Sequence, residues 1–149
     1  GSGPLEASLK SSNVPRTHFL GFQNQSRMPA VYRMSDVVCL PSRSETWGLA
    51  LNEAMACCRP VIASDTVGAA VDLIDPDRNG WVVPSGDIKA LQNVPAAAAG
   101  MNRDGLRNLG EHSARIIKDW SIPRQVEAIV TCLRRVAGRP VERSQRVAA

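Results

Sequence analysis

Residues 42–65 read SRSETWGLALNEAMACCRPVIASD, one helix-forming run set between two short apolar runs. Upstream, DVVCLPS (36–42) is apolar and β-branched and ends in Pro-Ser, so it reads as a buried strand leading into a loop. From Gly48 onward, GLALNEAMACC holds good helix formers and only Asn52 and Glu53 as strongly polar residues, until Arg59-Pro60 stops it. PVIAS (60–64) is a second buried strand. Strand, loop, helix and strand in that order make a βαβ unit, which places the chain in the α/β class with a parallel sheet. In such sheets ligands sit at the carboxyl ends of the strands, beside helix N-termini.

Two carboxylates, Glu45 and Glu53, lie eight positions apart around that helix start. Glu45 precedes the helix, and Glu53 falls about a turn and a half into it. The backbone N–H groups of Trp47, Gly48 and Leu49 sit at the positive end of the helix dipole and favour a phosphate or diphosphate. Ionised carboxylates accept hydrogen bonds and do not donate, so they suit sugar hydroxyls rather than phosphate oxygens. The combination points to a sugar nucleotide. Spacing alone leaves a second reading open: Glu45 as a helix-capping or dipole-stabilising residue, and Asn52-Glu53 as the exposed corner of an amphipathic helix.

Residues 42–87, SRSETWGLALNEAMACCRPVIASDTVGAAVDLIDPDRNGWVVPSGD, resemble the donor-nucleotide half of retaining GT-B glycosyltransferases, especially glycosyltransferase family four. The matching features are the two glutamates, Trp47-Gly48, EAMA at 53–56, PVIASD at 60–65 and NGWVVPSGD at 79–87. HFLGF at 18–22 and the segment from Tyr32 to Ser42 fit the same pattern, so the resemblance covers most of residues 14–136. It implies a Rossmann-like parallel sheet with flanking helices, the C-terminal half of a GT-B fold. It also implies transfer of a hexosyl group from a nucleoside diphosphate sugar, with retention at the anomeric carbon, to a saccharide or lipid-linked acceptor.

By the same resemblance, Glu53 binds the ribose hydroxyls of the donor, and Glu45 contacts the transferred sugar and is the candidate catalytic residue. Thr46, Trp47, Gly48 and Leu49 surround the sugar and diphosphate, and the loop of Gly21, Phe22 and Gln23 touches the base. The side chain of Trp47 serves equally as a packed loop aromatic. No metal or other cofactor is expected. His18 on a strand and His112 on a helix have no Cys or carboxylate at ligand spacing.

The chain departs from the family pattern in three places. Thr46 stands where Gly often follows the first glutamate. Cys58 replaces the Gly that often follows the helix, which is awkward if the backbone there takes positive φ. Asp72 stands where Glu is more usual. A larger departure is length: 149 residues make one domain, not the two of a GT-B enzyme. No counterpart of the family's opening strands, with their basic pair for the diphosphate, precedes Val14. Arg16 and Arg27 read as solvated surface charges. The expectation is a fragment truncated at its N-terminal strands: a leading segment 1–13 whose Gly1-Ser2-Gly3 reads as a cloning scar, a partial donor-binding domain 14–137, and a basic tail 138–149. The acceptor domain is the missing partner. Loss of internal strands leaves an unpaired edge, so HFLGF either moves beside DVVCLPS or pairs with another chain.

Elsewhere the pattern alternates. A short helix spans 5–11, a strand 17–21, a helix 29–34, a short helix 68–74, and a strand 81–84 entered by the Asn79-Gly80 turn. Asp87 is the expected N-cap of a helix from Ile88 to about Gln92, broken by Pro95. Helical spacing of Leu106, Leu109, Ser113, Ile116, Ile117 and Trp120, and of Val126, Ile129, Val130, Leu133 and Val136, gives two amphipathic helices, the last begun at Trp120-Ser121 with part of its face exposed.

From Arg124 onward there are six arginines (124, 134, 135, 139, 143, 146) and two glutamates (127, 142), a net of plus four that equals the formal charge of the whole chain. Such a tail either touches anionic lipid or is simply solvated. No nucleic-acid motif accompanies it, and no apolar run approaches membrane-spanning length. Cys39 in a buried strand, the adjacent Cys57 and Cys58 on one helix, and Cys132 do not suit a disulfide framework. A reducing compartment, the cytoplasm, is expected, with contact at the inner membrane face as a possibility of the tail. Two further function classes remain open: a noncatalytic nucleotide-binding or interaction domain of the same fold, and a sugar-nucleotide epimerase.

Overall fold

The computed structural model describes residues 3–138. Three short strands, β1 (Val38–Leu40), β2 (Val61–Ser64) and β3 (Gly80–Val83), form one parallel sheet in chain order. Val38 pairs with Val61, which in turn pairs with Gly80. Among the described residues seven helices surround or extend from the sheet: α1 (Glu6–Ser11), α2 (Met28–Met34), α3 (Leu49–Ala56), α4 (Ala70–Leu73), α5 (Ile88–Ala99), α6 (Arg103–Lys118) and α7 (Ile122–Val136). The α/β class and the parallel sheet with flanking helices are as the sequence pattern indicates.

β2 is the central strand and is buried along its whole length, which is why its sequence is an unbroken apolar run rather than an alternating one. Successive side chains leave a strand on opposite faces. Val61 and Ala63 join a core with Leu51, Ala54 and Met55 of α3, Leu73 of α4 and Tyr32 of α2. Ile62 turns to the other face, where it lines a hollow with Ala98 and Ala99 of α5. α3 lies across β1 and β2 and is packed in turn by α2 and α6, while α5 packs on β3.

Local signals set several boundaries. Asp87 caps α5, its side chain accepting from the Ala90 N–H at 2.9 Å. Asn79 is fully buried; it donates to the Leu73 carbonyl at 2.9 Å and accepts from the Asp75 N–H at 2.7 Å, which fixes the turn into β3.

The structure corrects three expectations. Residues 17–21 form no strand: Phe19, Leu20 and Phe22 are exposed, and the segment does not lie beside β1. A strand without a partner to accept its backbone bonds is not stable, however β-prone its residues are. Cys39 is exposed rather than buried: its side chain leaves β1 on the face opposite to Val38 and Leu40, which pack against the core. Pro95 does not break α5, which continues to Ala99. The backbone bond lost at Pro95 is offset by the strong helix propensity of Ala96 to Ala99 and by the burial of Ala98. The basic tail, except Gly138, and Gly1-Ser2 of the leading segment lie outside the described residues.

After α3 the chain reverses through Cys58, a non-glycine residue at φ +57°. Its carbonyl is met by Gly110 of α6: a Cβ at Gly110 would come within 2.1 Å of that oxygen. The reversal and the seat of α6 on α3 are therefore one contact. Two stability measurements by urea denaturation check it. Cys58→Gly relieves the left-handed strain at some cost in chain entropy, a net gain of about 0.5–1 kcal/mol; no gain would show the strain to be absent. Gly110→Ala drives α6 off the turn and costs about 2 kcal/mol or more.

Candidate functional site

The site lies where β1 gives way to α3, at the carboxyl end of the sheet. The loop of residues 41–48 does not hang free there. The side-chain hydroxyls of Ser64 and Thr66 both donate to the Ser42 carbonyl, that of Thr66 at 2.7 Å. The Gly68 N–H donates to the Glu45 carbonyl at 3.1 Å, and the Ala69 N–H donates to the Trp47 carbonyl at 2.8 Å. Glu45 and Val67 thus form a short parallel bridge, an extension of the β1–β2 pairing beyond the strands themselves. These bonds fix the backbone from which Glu45 projects.

Gly48 closes the loop at φ +99° and is the N-cap of α3. A Cβ there would lie 2.7 Å from Val67 Cγ1 and 3.1 Å from Leu40 Cδ2, so glycine is required by both dihedral and space. No side chain caps the helix. Among the described residues no acceptor takes the backbone N–H of Trp47, Gly48 or Leu49. This leaves at the helix start the unsatisfied donors and partial positive charge that an anion favours. Thr46 and Leu49 are exposed beside them, and Glu45 is half-buried.

The Trp47 side chain is packed. Its indole N–H donates to Asn52 Oδ1 at 2.9 Å, and its ring lies 5.3 Å from that of Trp120, tilted by 38°. Edge-tilted aromatic pairs of this kind add to the burial they share. Trp47 therefore ties the loop to α3 on one side and to the α6–α7 junction on the other.

Glu53 is held from another direction. The hydroxyl of Tyr32 donates to Glu53 Oε2 at 2.7 Å. The Tyr32 ring is buried in the α2–α3 contact, 7% exposed, and burial followed by the bond to Glu53 and that carboxylate's charge push the phenol well above its usual range. Glu53 also lines a groove of about 670 Å³ with Asn52 and Ala56 of α3, Ile117 of α6, Trp120 and Ile122.

Glu45, Thr46, Trp47, Gly48 and Leu49 lie at or just before the start of α3, while Glu53 is further along the helix, bonded to Tyr32. Phe22 and Gln23 make no hydrogen bond to that loop or helix among the described residues. Phe22 is 82% exposed, and Gln23 donates to the Leu20 carbonyl of its own segment at 2.6 Å. Gly21 lies on the same exposed segment at φ +64°. Tyr32 and Trp120 were not legible as site residues. They lie 21 and 73 positions from Glu53 and Trp47 respectively, and no local pattern marks them. Among the described residues no group of three or more His, Cys, Asp or Glu residues is placed to hold a metal ion, and no helix is long and apolar enough to cross a membrane.

Comparisons with known proteins bear on the family and the fold. The family model described as glycosyl transferases group 1 matches residues 3–97. The D-inositol 3-phosphate glycosyltransferase of Gordonia bronchialis is 33% identical over 135 residues, 88% of this chain and 29% of that protein. Among solved structures, sucrose-phosphate synthase from Thermosynechococcus elongatus superposes with a TM-score of 0.74 at 28% identity, over 89% of this chain and 34% of that one. Anabaena Alr3699/HepE in complex with UDP-glucose superposes with a TM-score of 0.68 at 22% identity, over 83% and 34%, a likeness of fold. The chain spans about a third or less of the length of each of these proteins. Its structural neighbours are GT-B glycosyltransferases, and the chain belongs to the glycosyl transferases group 1 family.

Proposed function

We propose that this chain is the donor-binding part of a retaining glycosyltransferase. It takes a nucleoside diphosphate sugar, and the parent protein transfers the hexosyl group to a saccharide or lipid-linked acceptor. The acceptor's hydroxyl oxygen bonds to the anomeric carbon as that carbon's bond to the diphosphate breaks; nucleoside diphosphate leaves, and the hydroxyl proton is released. The observation that carries this reading is the helix start at Trp47, Gly48 and Leu49, whose backbone N–H groups have no acceptor among the described residues, with a carboxylate on either side of it in sequence. The N–H groups suit the diphosphate. Glu53 accepts from the ribose hydroxyls, and Glu45 from the transferred sugar. UDP-glucose bound to a protein of the same fold supports the ligand class.

Acceptor recognition is assigned to sequence outside this chain. We expect the reaction to proceed without a metal, since the diphosphate charge is to be met by protein donors; transfer by the full-length parent that persists in EDTA checks this. The cytoplasm, with contact at the inner face of the membrane through the basic tail, is the proposed location.

Nuclear magnetic resonance titration of this chain with UDP, GDP and ADP up to millimolar concentration, and then with their sugars, tests the site. Glu53→Gln should weaken nucleotide binding about 10-fold or more, the scale of a lost hydrogen bond to a charged group. Glu45→Gln should leave nucleoside diphosphate binding within about 2-fold while removing what the sugar adds, since its role lies beyond the diphosphate. Absence of binding by all three nucleotides, or Glu53→Gln binding as tightly as the parent chain, would sink the donor-site reading.

A further inference from the structure

We infer that Tyr32 is a positioning residue for the donor's ribose, holding Glu53 Oε2 through its hydroxyl so that Oε1 is presented to the sugar's 2′- and 3′-hydroxyls. The inference rests on the donor-site reading and deepens it. Three observations support it. The hydroxyl lies 2.7 Å from Oε2, a short bond to an ionised acceptor. The Tyr32 ring is locked in the core between α2 and α3, so the hydroxyl's position is set by packing rather than by a flexible stem. Among the described residues Oε1 has no partner, and Glu53 lines the groove beside Trp120. A glutamate side chain has three rotatable bonds; anchoring one oxygen removes most of that freedom before a ligand arrives, and preorganisation of this kind is recovered as affinity. A bond made only for packing would need no carboxylate, because a buried phenol is satisfied by any acceptor.

The phenol is faced by Glu53 and Cys57, and both act to keep it protonated. It therefore remains a donor at neutral and mildly alkaline pH. Because its folded pKa lies above the unfolded value near 10, the stability this gives is present below pH 10 and is lost as pH rises above it.

Tyr32 is the only tyrosine of the chain, so absorbance at 295 nm follows its ionisation alone. The chain is titrated with UDP, GDP and ADP, and the tightest is carried forward with its 2′,3′-dideoxy counterpart. Tyr32→Phe should weaken the ribonucleotide about 3- to 10-fold and leave the dideoxy compound unchanged, so that the ratio between them shrinks. Glu53→Gln should shrink it further, and the double variant should be no weaker than Glu53→Gln alone. If Glu53→Gln collapses the ratio while Tyr32→Phe leaves it intact, the positioning role is wrong and the donor site stands. If neither variant alters the ratio, or no nucleotide binds, the donor reading fails and takes this inference with it. The phenol titration is independent of ligand and of the Tyr32→Phe fold: its midpoint should lie above 10 in the parent chain and move down in Glu53→Gln. An unchanged midpoint would overturn the contact on which the role depends.

Discussion

The candidate site depends on the backbone pairing of two loops. Residues 42–47 are bonded to residues 64–69 through the Ser42, Glu45 and Trp47 carbonyls. Each such bond is worth only about 1 kcal/mol net, but they act on the same short segment, and an unpaired carbonyl in a half-buried loop would cost as much again. The loops leave adjacent parallel strands and pair again beyond them with the register shifted by one residue: Leu40 lies opposite Ala63, whereas Glu45 lies opposite Val67 rather than Gly68. The glycine at 48 follows from the same closeness, since Val67 and Leu40 occupy the space a side chain would need.

Around that pairing the chain uses side chains from distant segments to fix single groups. Trp47 is bonded to Asn52 and stacked with Trp120, and Glu53 is bonded to Tyr32. The loop, α2, α3 and the α6–α7 junction all take part, α3 through both Asn52 and Glu53. Such a cluster holds its geometry better than any of its members alone, because the buried Tyr32 ring and the paired Trp47 and Trp120 rings restrict one another.

The apolar surface left open has a consistent distribution. β1 pairs on one side only among the described residues, the 17–22 segment exposes Phe19, Leu20 and Phe22, and α7 turns Ile122, Val126, Ile129 and Leu133 outward with no buried residue. The strongly periodic sequence of α7 makes it a helix, yet periodicity specifies a face and not what the face meets. Two expectations failed for a related reason. HFLGF has the composition of a strand and Cys39 the neighbours of a core residue, but strand formation requires a partner strand and burial requires a layer over that face of the sheet.

The sequence by itself determined the βαβ unit around residues 36–64, the parallel sheet, the cap at Asp87, the turn at Asn79-Gly80 and the start of α3 at Gly48-Leu49, with Glu45 before it and Glu53 within it. Those features follow from local chemistry: apolar runs, helix formers, glycine and capping residues at short spacing. It also flagged Cys58, whose positive φ is required by the chain reversal after α3. Only the tertiary structure decided that Pro95 sits within a helix, that residues 17–21 are not a strand, that Trp47 is packed, and that Tyr32 holds Glu53. Each of these depends on which surfaces lie across from one another, and a contact between residues 21 or 73 positions apart leaves no periodic trace in the chain.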